Sequence, residues 1–295
     1  MSLSRRPKVL VTRRLPQLFD AELNADDRPL NQQELAAAVS DADVLVPTVT
    51  DRIDAGVLPG AGSRLRLIAN FGVGTNHIDL SAARAQGIVV TNTPGVLTED
   101  TADMAMALIL AVSRRLSEGE ARLRRGDWSG WAPTDFLGRS LSGKGLGIVG
   151  MGRIGQALAR RARASGLSIH YHNRHRLPEP VERELEANYW PELDGMLRAV
   201  DIVTIHCPAT AETRNLIDER RLHLMKALEC GAIAGAGLDV YVAEPRVDPR
   251  LRSLGNVVLL PHMGSATLEA RTAMGDKVIA NIAAWTRGET PPDRC

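Results

Sequence analysis

The sequence has few cysteines, no long apolar run and almost no excess of charge of either sign. Its three cysteines, Cys207, Cys230 and Cys295, are odd in number and widely separated, so they form neither a disulfide framework nor a CxxC pair. The longest apolar run, 104–112, is too short to span a bilayer. A formal net charge of +1 provides no global field that would recruit nucleic acid or an acidic membrane. These absences predict a soluble cytoplasmic protein.

Short apolar strands alternate with helical patterns along the chain, which is typical of α/β proteins with parallel sheets. The 295 residues suit two domains better than one. Predicted strands occupy 8–12, 42–46, 65–70 and 88–91 in a first series, and 146–149, 168–172, 201–206, 236–240 and 257–260 in a second. Predicted helices occupy 30–40, 81–86, 98–125, 156–164 and 267–287. The long helix at 98–125 separates the two series.

Residues 150–155 read GMGRIG, a GxGxxG pattern that directly follows a predicted strand and begins a predicted helix. In that context the pattern is a strong dinucleotide-binding signal. Gly150 permits the tight turn, Gly152 lets the backbone approach a pyrophosphate, and Gly155 lets helix and strand pack closely. Unpaired N–H groups at the helix start, where Arg153 and Ile154 lie, then face the phosphates. The alternative is a glycine-rich turn that binds no ligand.

The end of the next strand indicates which dinucleotide is bound. NAD-binding units usually carry an acidic residue about 20 residues after the glycines, where it binds the ribose 2′-hydroxyl. Here residues 170–176 read HYHNRHR and contain no carboxylate. Asn173 can bond a hydroxyl or a phosphate, and Arg174, assisted by Arg176, can bind a 2′-phosphate. The sequence therefore predicts NADPH in preference to NADH, with a solvated basic loop as the alternative.

Six segments, in their order and spacing, resemble the D-2-hydroxyacid dehydrogenase family, and within it the glyoxylate/hydroxypyruvate reductases most closely. They are NFGVGTNHID at 70–79, TNTPGVLTEDTA at 91–102, GMGRIG at 150–155, HCP at 206–208, GLDVYVAEP at 237–245 and PHMGSAT at 261–267. The resemblance implies an α/β fold of two domains. A Rossmann-type doubly wound parallel sheet at 94–265 would be inserted in a smaller flavodoxin-like substrate domain formed by 1–93 and 266–295.

The resemblance also implies a homodimer. Trp128 and Trp131 would lie at the contact between the subunits, although ordinary packing explains both tryptophans equally well.

Reduction of a 2-oxo acid needs a hydride at the carbonyl carbon and a proton at the carbonyl oxygen. His262 follows a predicted strand at its carboxyl end, where open α/β sheets place their sites, and an imidazole suits reversible proton transfer. By resemblance, Glu244 is the carboxylate that orients His262 and stabilises its protonated form. The backbone N–H groups of Val73 and Gly74, again by resemblance, hold the substrate carboxylate. A structural histidine and a plain glycine turn are the alternative interpretations.

The same resemblance assigns the remaining contacts to the cofactor. Asp239 would contact the nicotinamide carboxamide. The other residues would lie along the cofactor, and they are Thr101, Gly264 and, beside its adenosine half, Cys207, Pro208 and Thr213. Buried packing explains these residues nearly as well. No metal is expected.

One segment that the resemblance leads us to expect is missing. The family supplies a catalytic arginine from a segment that reads roughly N-T-x-R-G, and this arginine would bind the substrate carboxylate and polarise the carbonyl. By resemblance, about twenty residues are absent between Lys226 and Ala227, and about eight more near 17–18. The larger gap would remove a central strand and leave the predicted strands 201–206 and 236–240 without their shared neighbour.

Two explanations of this gap stay open. Either the natural polypeptide carries residues beyond this sequence, which an intact mass well above 31.9 kDa would show, or the deletion is real. Unpaired buried backbone groups cost roughly 1–3 kcal/mol each. A real deletion therefore predicts a strained sheet and very weak activity or none.

The sequence as a whole predicts an oxidoreductase that transfers hydride from NADPH, or from NADH, to glyoxylate, hydroxypyruvate or another small 2-oxo acid and gives the D-2-hydroxy acid. The alternative is a catalytically weak protein that senses the dinucleotide and binds a partner protein, similar to the dehydrogenase-like corepressors. The missing arginine favours this alternative, whereas the lack of a recognisable interaction tail argues against it.

Overall fold

The computed structural model describes residues 6–16, 22–23, 27–58, 60, 63–210, 212–213, 216, 224–242 and 244–295. The chain divides into two compact units. The first unit consists of Met1–Leu97 and Ala266–Cys295, and the second of Thr98–Ser265. The paired strands of each sheet run parallel, which confirms the predicted α/β class.

Strands and helices alternate along both units. The strands are β1 (Val9–Val11), β2 (Glu22–Leu23), β3 (Val44–Val46), β4 (Leu67–Ala69), β5 (Val89–Thr91), β6 (Gly145–Val149), β7 (Ser168–His172), β8 (Ala187–Tyr189), β9 (Ile202–Ile205), β10 (Ala236–Leu238) and β11 (Val257–Leu259). The helices are α1 (Gln32–Val39), α2 (Leu80–Ala85), α3 (Thr98–Ser113), α4 (Leu116–Arg124), α5 (Arg153–Ala164), α6 (Glu179–Leu185), α7 (Leu193–Ala199), α8 (Leu224–Glu229), α9 (Pro249–Ser253) and α10 (Leu268–Thr286). In the described ranges no helix is both long and apolar enough to cross a membrane.

The first unit is built on a five-stranded parallel sheet in the order β2-β1-β3-β4-β5. This is the flavodoxin-like order that the resemblance implied. Every residue of β3 and β4 is buried, because helices cover both faces of a parallel sheet. Leu45 and Ile68 from these strands pack with Leu35 and Val39 from α1 in one core. The expected gap near 17–18 falls on residues outside the described ranges.

The second unit contains a four-stranded parallel sheet in the order β8-β7-β6-β9. Numbered within the unit, this order is 3-2-1-4, which is the beginning of the Rossmann order 3-2-1-4-5-6. The sheet and α5 share one apolar core, to which Leu146, Ile148, Leu158 and Tyr171 contribute fully buried side chains. The two-domain, Rossmann-type architecture predicted from the resemblance is therefore confirmed.

The sheet of the second unit is interrupted beside β9. β10 and β11 form a separate two-stranded sheet, and among the residues that the structure describes no strand lies between β9 and β10. Val203 and Ile205 on β9 are 40% and 50% exposed, although parallel strands are normally buried on both faces. Helix α8 runs across Lys226 and Ala227, the point at which the resemblance led us to expect about twenty further residues. The interruption lies where the sequence predicted a missing strand.

The single long helix predicted at 98–125 is wrong, because the structure has two helices, α3 and α4, in this range. Arg115 between them has a left-handed backbone with φ of 55°. The carbonyl of Ser113 accepts a hydrogen bond from the N–H of Arg139 (2.8 Å), so it is not available to a further helical turn. A tertiary hydrogen bond therefore ends α3.

Candidate functional site

The glycine-rich turn joins β6 to α5, and close backbone contacts require two of its glycines. Gly150 has φ of 98°, and a Cβ there would lie 2.5 Å from the backbone nitrogen of Cys207. A Cβ at Gly155 would lie 2.6 Å from the carbonyl oxygen of Gly150. No side chain fits at either distance, so Gly150 permits the turn and Gly155 permits close packing of helix on strand. The turn also brings the predicted cofactor residue Cys207 against Gly150.

The start of α5 is open to a ligand. Gly152 is the N-cap residue, no side chain caps the helix, and a Cβ at Gly152 would meet nothing within 4 Å. The first N–H groups of a helix lack partners inside it and attract anions. Arg153 is exposed and forms no ion pair with any described residue, and Ile154 behind it is half-buried. Free N–H groups and a positive charge therefore coincide at this helix end.

Asn173, at the end of β7, holds the glycine-rich turn. Its Oδ1 accepts a hydrogen bond from the N–H of Met151 (2.7 Å). This contact assigns the orientation of the amide, and Nδ2 then donates to none of the residues described. Asn173 therefore keeps one free donor for a hydroxyl or a phosphate. Its second role, which is to fix the turn, was not predicted.

Arg174 and Arg176 differ in what they contact, although both were predicted to bind the 2′-phosphate. Arg176 donates to both carboxylate oxygens of buried Glu182, the shortest distance being 2.8 Å, and its guanidinium lowers the pKa of this carboxyl. Glu182 also accepts from the hydroxyl of Tyr171. Arg174 is exposed and forms no hydrogen bond or salt bridge with the described part of the chain, although its charge, after the hydroxyl of Thr210, helps to lower the pKa of the Glu212 carboxyl. Arg174 is thus available to a ligand, whereas Arg176 is engaged in the fold.

The loop after β9 is held by its own threonines. Thr213 Oγ1 donates to the carbonyl of Pro208 (2.6 Å) and accepts from the N–H of Thr210 (2.8 Å). Burial raises the pKa of the Cys207 thiol, which keeps it neutral. Cys207, Pro208 and Thr213 therefore belong to one loop beside the glycine-rich turn, and the hydroxyl of Thr213 is already used within that loop.

His262 and Glu244 form a hydrogen-bonded pair in the second unit. His262 Nδ1 lies 2.8 Å from Glu244 Oε2, while Glu244 Oε1 accepts from the N–H of Tyr241 (2.8 Å). Because a carboxylate only accepts hydrogen bonds, Nδ1 is the donor. His262 Nε2 forms no hydrogen bond with a described residue, and the side chain is 41% exposed. The pair therefore leaves one ring nitrogen free for proton transfer.

Asp239 fixes the backbone directly after His262. Its Oδ1 accepts from the N–H of Met263 and its Oδ2 from the N–H of Gly264, both at 2.8 Å. A Cβ at Gly264 would lie 3.0 Å from Asp239 Oδ2 and 3.5 Å from Cγ2 of Thr101. The structure thus brings together three residues predicted to lie near the cofactor. The two contacts show that Asp239 supports the loop, whereas its contact to a carboxamide stays a prediction.

Val73 and Gly74 lie in the first unit, in the loop after β4. Both are exposed, and their N–H groups donate to no acceptor among the described residues. The carbonyls of this loop are engaged. Asn70 Nδ2 donates to the carbonyls of Gly72 (3.0 Å) and Gly74 (2.9 Å), and Asn92 Nδ2 donates to that of Val73 (2.9 Å). Free N–H groups beside engaged carbonyls suit an anion such as a carboxylate.

Three residues that support these groups were not predicted from the sequence, namely Asn70, Asn92 and Tyr241. Tyr241 donates its hydroxyl to the carbonyl of Leu260 (2.9 Å) and its N–H to Glu244. All three unpredicted residues lie inside motifs that carry the resemblance. Membership of these motifs was the one signal that could have identified them.

A dinucleotide fits the second unit. The start of α5 is uncapped and there is space beside Gly152. The exposed guanidinium groups of Arg153 and Arg174 belong to the same region, since Arg153 begins α5 and Arg174 follows Asn173, which contacts the turn. A diphosphate needs donors and positive charge of this kind, and a ribose needs a donor such as Asn173.

A family model described as D-isomer specific 2-hydroxyacid dehydrogenase, NAD binding domain, matches residues 106–227 and 223–264. The two matches meet where the expected segment is missing. A glyoxylate reductase from Thermococcus litoralis is 43% identical over 321 residues, covering 98% of this chain and 96% of its own. Because that alignment is longer than this chain, the relative has residues without a counterpart here.

Two solved structures are similar to the whole chain. A D-isomer specific 2-hydroxyacid dehydrogenase from a Polaromonas species is 40% identical with a TM-score of 0.88, covering 98% of this chain and 99% of its own. An NADPH-dependent glyoxylate/hydroxypyruvate reductase from Sinorhizobium meliloti, solved with NADP and malonate, is 35% identical with a TM-score of 0.84. The match covers 99% of this chain and 97% of the Sinorhizobium meliloti chain. With the family match and the geometry above, these likenesses show that the chain belongs to the D-isomer specific 2-hydroxyacid dehydrogenase family and is an NAD(P)-dependent oxidoreductase.

Proposed function

We propose that the chain reduces a small 2-oxo acid of the glyoxylate or hydroxypyruvate type to the D-2-hydroxy acid. The hydrogen bond of 2.8 Å between His262 and Glu244 carries this proposal, because it leaves Nε2 as the free ring nitrogen. The names of the relatives from Thermococcus litoralis and Sinorhizobium meliloti support the class of substrate.

A bound nicotinamide dinucleotide supplies the hydride for this reaction. The proton comes from Nε2 of protonated His262 and goes to the carbonyl oxygen of the substrate. Glu244 accepts the Nδ1–H of the ring throughout, so Nε2 is the nitrogen that gives up the proton. A positioned acid of this kind contributes about 10²–10⁴ in rate.

The carboxylate of the 2-oxo acid binds, in this proposal, to the free N–H groups of Val73 and Gly74. Neutral donors hold an anion less strongly than a guanidinium does. The arginine that the resemblance led us to expect has no counterpart beside Lys226, and loss of one charge-stabilising group at a reacting centre costs about 10²–10³ in turnover. We therefore expect slow turnover with a retained preference for 2-oxo acids.

For the cofactor we propose NADP in preference to NAD. Arg174 is exposed and without an ion pair among described residues, Asn173 keeps a free Nδ2, and no carboxylate lies in 170–176. A guanidinium favours a 2′-phosphate, whereas the missing carboxylate weakens binding of a 2′-hydroxyl.

Steady-state kinetics with glyoxylate and hydroxypyruvate, each with NADPH and with NADH, test the function. His262→Asn is a suitable variant because asparagine tolerates the left-handed backbone at this position, where φ is 55°. We expect His262→Asn to lower kcat by about 10²–10⁴. The dissociation constant of NADPH should change little, and the exposed control Asp127→Asn should behave as wild type. Wild-type protein that turns over no small 2-oxo acid would refute the proposal.

A second candidate is a role as a dinucleotide sensor with weak catalysis. The interrupted sheet and the missing arginine favour it, because both lower turnover without removing the glycine-rich turn. Fluorescence titration with NADPH alongside the turnover assay separates the two functions. Tight binding of NADPH without measurable turnover would support the sensor.

We further propose a cytoplasmic homodimer. Trp128 and Trp131 are 54% and 84% exposed, and α4 just before them has no buried residue. Large exposed apolar side chains of this kind mark contact surfaces. Light scattering should show a dimer for the wild type and a larger monomer fraction for Trp131→Ser, and a monomeric wild type would contradict this proposal.

A further inference from the structure

Three consecutive carbonyls, those of residues 72–74, are held by the side-chain amides of Asn70 and Asn92. A trans peptide unit is planar, so each N–H points opposite to the carbonyl of the residue before it. Holding these carbonyls therefore also orients the N–H groups of residues 73–75. Each of these N–H groups points away from the amide that holds its peptide unit.

His77 determines which way the Asn70 amide is turned. His77 Nε2 lies 3.0 Å from Asn70 Oδ1. Because Nδ2 of Asn70 donates to two carbonyls, Oδ1 is the acceptor and His77 Nε2 is the donor. Asn70 is fully buried, so solvent does not replace a partner that is lost. An inverted amide would place Oδ1 against the carbonyl oxygens of Gly72 and Gly74, which is repulsive.

His77 is itself held firmly. Its carbonyl accepts from the N–H of Ile53 (2.8 Å), and Ile53 pairs with Ile78 in a parallel bridge. Burial lowers the pKa of His77, and the nearby carboxylate of Asp51 only partly opposes this effect. The ring is therefore neutral near pH 7 and carries its single proton on Nε2, the atom that faces Asn70.

We infer that Asn70, Asn92 and His77 are positioning residues for an anion site with three donors, the N–H groups of residues 73–75, and that this site holds the substrate carboxylate. The identity of the anion rests on the proposed function, whereas the three-donor arrangement does not. Thr75 is thereby added to Val73 and Gly74, and its N–H, like theirs, donates to no described acceptor.

Oxalate serves as a probe of this site, because it offers a carboxylate and undergoes no reduction. Its dissociation constant is measured by calorimetry on the full chain with NADPH present, next to KM and kcat for glyoxylate. His77→Leu removes the donor to Asn70, whereas His77→Gln keeps an N–H donor. Loss of a buried hydrogen bond of this kind corresponds to about tenfold in affinity.

We expect His77→Leu to raise both the oxalate dissociation constant and KM about tenfold or more, with kcat changed much less. His77→Gln should recover most of the loss. The exposed control Gln33→Leu, which lies outside both proposed sites, should bind oxalate as wild type does. A merely structural role of His77 would instead lower thermal stability without this selective effect on KM and without rescue by glutamine.

Asn92→Ala provides a second variant. Asn92 is only partly buried, so this change tests the same site if His77→Leu fails to fold. Unchanged oxalate affinity in the folded variants would overturn the inference and leave the reductase proposal intact. Oxalate binding that the variants weaken, in a protein without turnover, would overturn the proposed function and keep the anion site. Wild-type protein that binds no oxalate at millimolar concentration would refute the three-donor site.

Discussion

The carboxylate of Asp239 accepts the N–H of Gly264, and of Met263 beside it, at 2.8 Å each, so one side chain fixes the two residues that follow His262. An asparagine at 239 would keep one acceptor and turn an NH₂ group toward the other N–H. The ring of His262, which we propose as the acid, would then lose its placement, and a misplacement of about 1 Å costs about 10²-fold in rate.

We therefore expect Asp239→Asn to lower kcat by about tenfold or more while the dissociation constant of NADPH stays within about threefold. Steady-state kinetics and fluorescence titration measure the two effects, with the exposed Asp127→Asn as control. A large rise in the NADPH dissociation constant with unchanged kcat would instead favour the carboxamide contact predicted from the resemblance.

Alanine variants of Arg174 and Arg176 test which of the two arginines determines the preference for NADPH. Arg174→Ala should raise KM for NADPH about tenfold or more and leave KM for NADH unchanged, since a hydrogen bond to a charged group contributes about 1.5–3 kcal/mol. Arg176→Ala should instead lower the free energy of unfolding by roughly 1–3 kcal/mol, because it leaves buried Glu182 with fewer partners. If Arg176→Ala changes the NADPH preference and Arg174→Ala does not, then Arg174 is not the residue that binds the 2′-phosphate and our assignment is wrong.

The lowered pKa of His206 should make the free energy of unfolding depend on pH. Burial lowers the pKa of His206 to about 4, below its ordinary value of 6.5. At pH values between these two pKa values, His206 is protonated in the unfolded chain and neutral in the folded chain. The contribution of His206 to stability is therefore complete above 6.5 and is lost as the pH falls toward 4, by about 3 kcal/mol.

His206→Gln removes this dependence. Urea unfolding at pH 7, 5.5 and 4.5 measures the free energy of unfolding of both proteins. As the pH falls, this free energy should decrease less for the variant than for the wild type, because all other groups titrate equally in both proteins. Parallel pH profiles of the two proteins would contradict the assignment to His206.

The sequence predicted features that depend on neighbours along the chain. The strand at 168–172 lies at its predicted bounds, and Gly150 and Gly155 are required for the reasons their spacing indicated. The end of α3 was missed because it depends on Arg139, which lies far from Ser113 along the chain. Such contacts leave no trace in helical periodicity.

The supporting side chains were missed for the same physical reason. His77 and Asn70 lie in one motif, but only the folded chain shows that one orients the amide of the other. Arg176 is likewise indistinguishable from Arg174 by residue type. Its contact with Glu182 depends on where α6 packs beside β7, and no local pattern encodes that packing.

The interrupted sheet predicts the effect of adding a strand. A segment of the kind that the resemblance led us to expect, about twenty residues with a strand and an N-T-x-R-G sequence, would be inserted between Lys226 and Ala227. A strand there should pair the free edges of β9 and β10 and cover Val203 and Ile205, which are half exposed now. Because each side chain is already about half buried, covering the rest contributes about 1 kcal/mol for each, roughly half of the value for full burial. We expect Tm to rise by about 5 °C or more in calorimetry.

The same insertion tests the missing arginine separately from the sheet. The inserted segment with its arginine should raise kcat for glyoxylate by about 10²–10³. The segment with that arginine changed to alanine should raise Tm equally and leave kcat low, because it repairs the sheet alone. A glycine-serine stretch of equal length controls for chain length and should raise neither quantity. If the intact segment leaves Tm unchanged, β9 and β10 do not share the missing neighbour, and the predicted repair of the sheet is wrong.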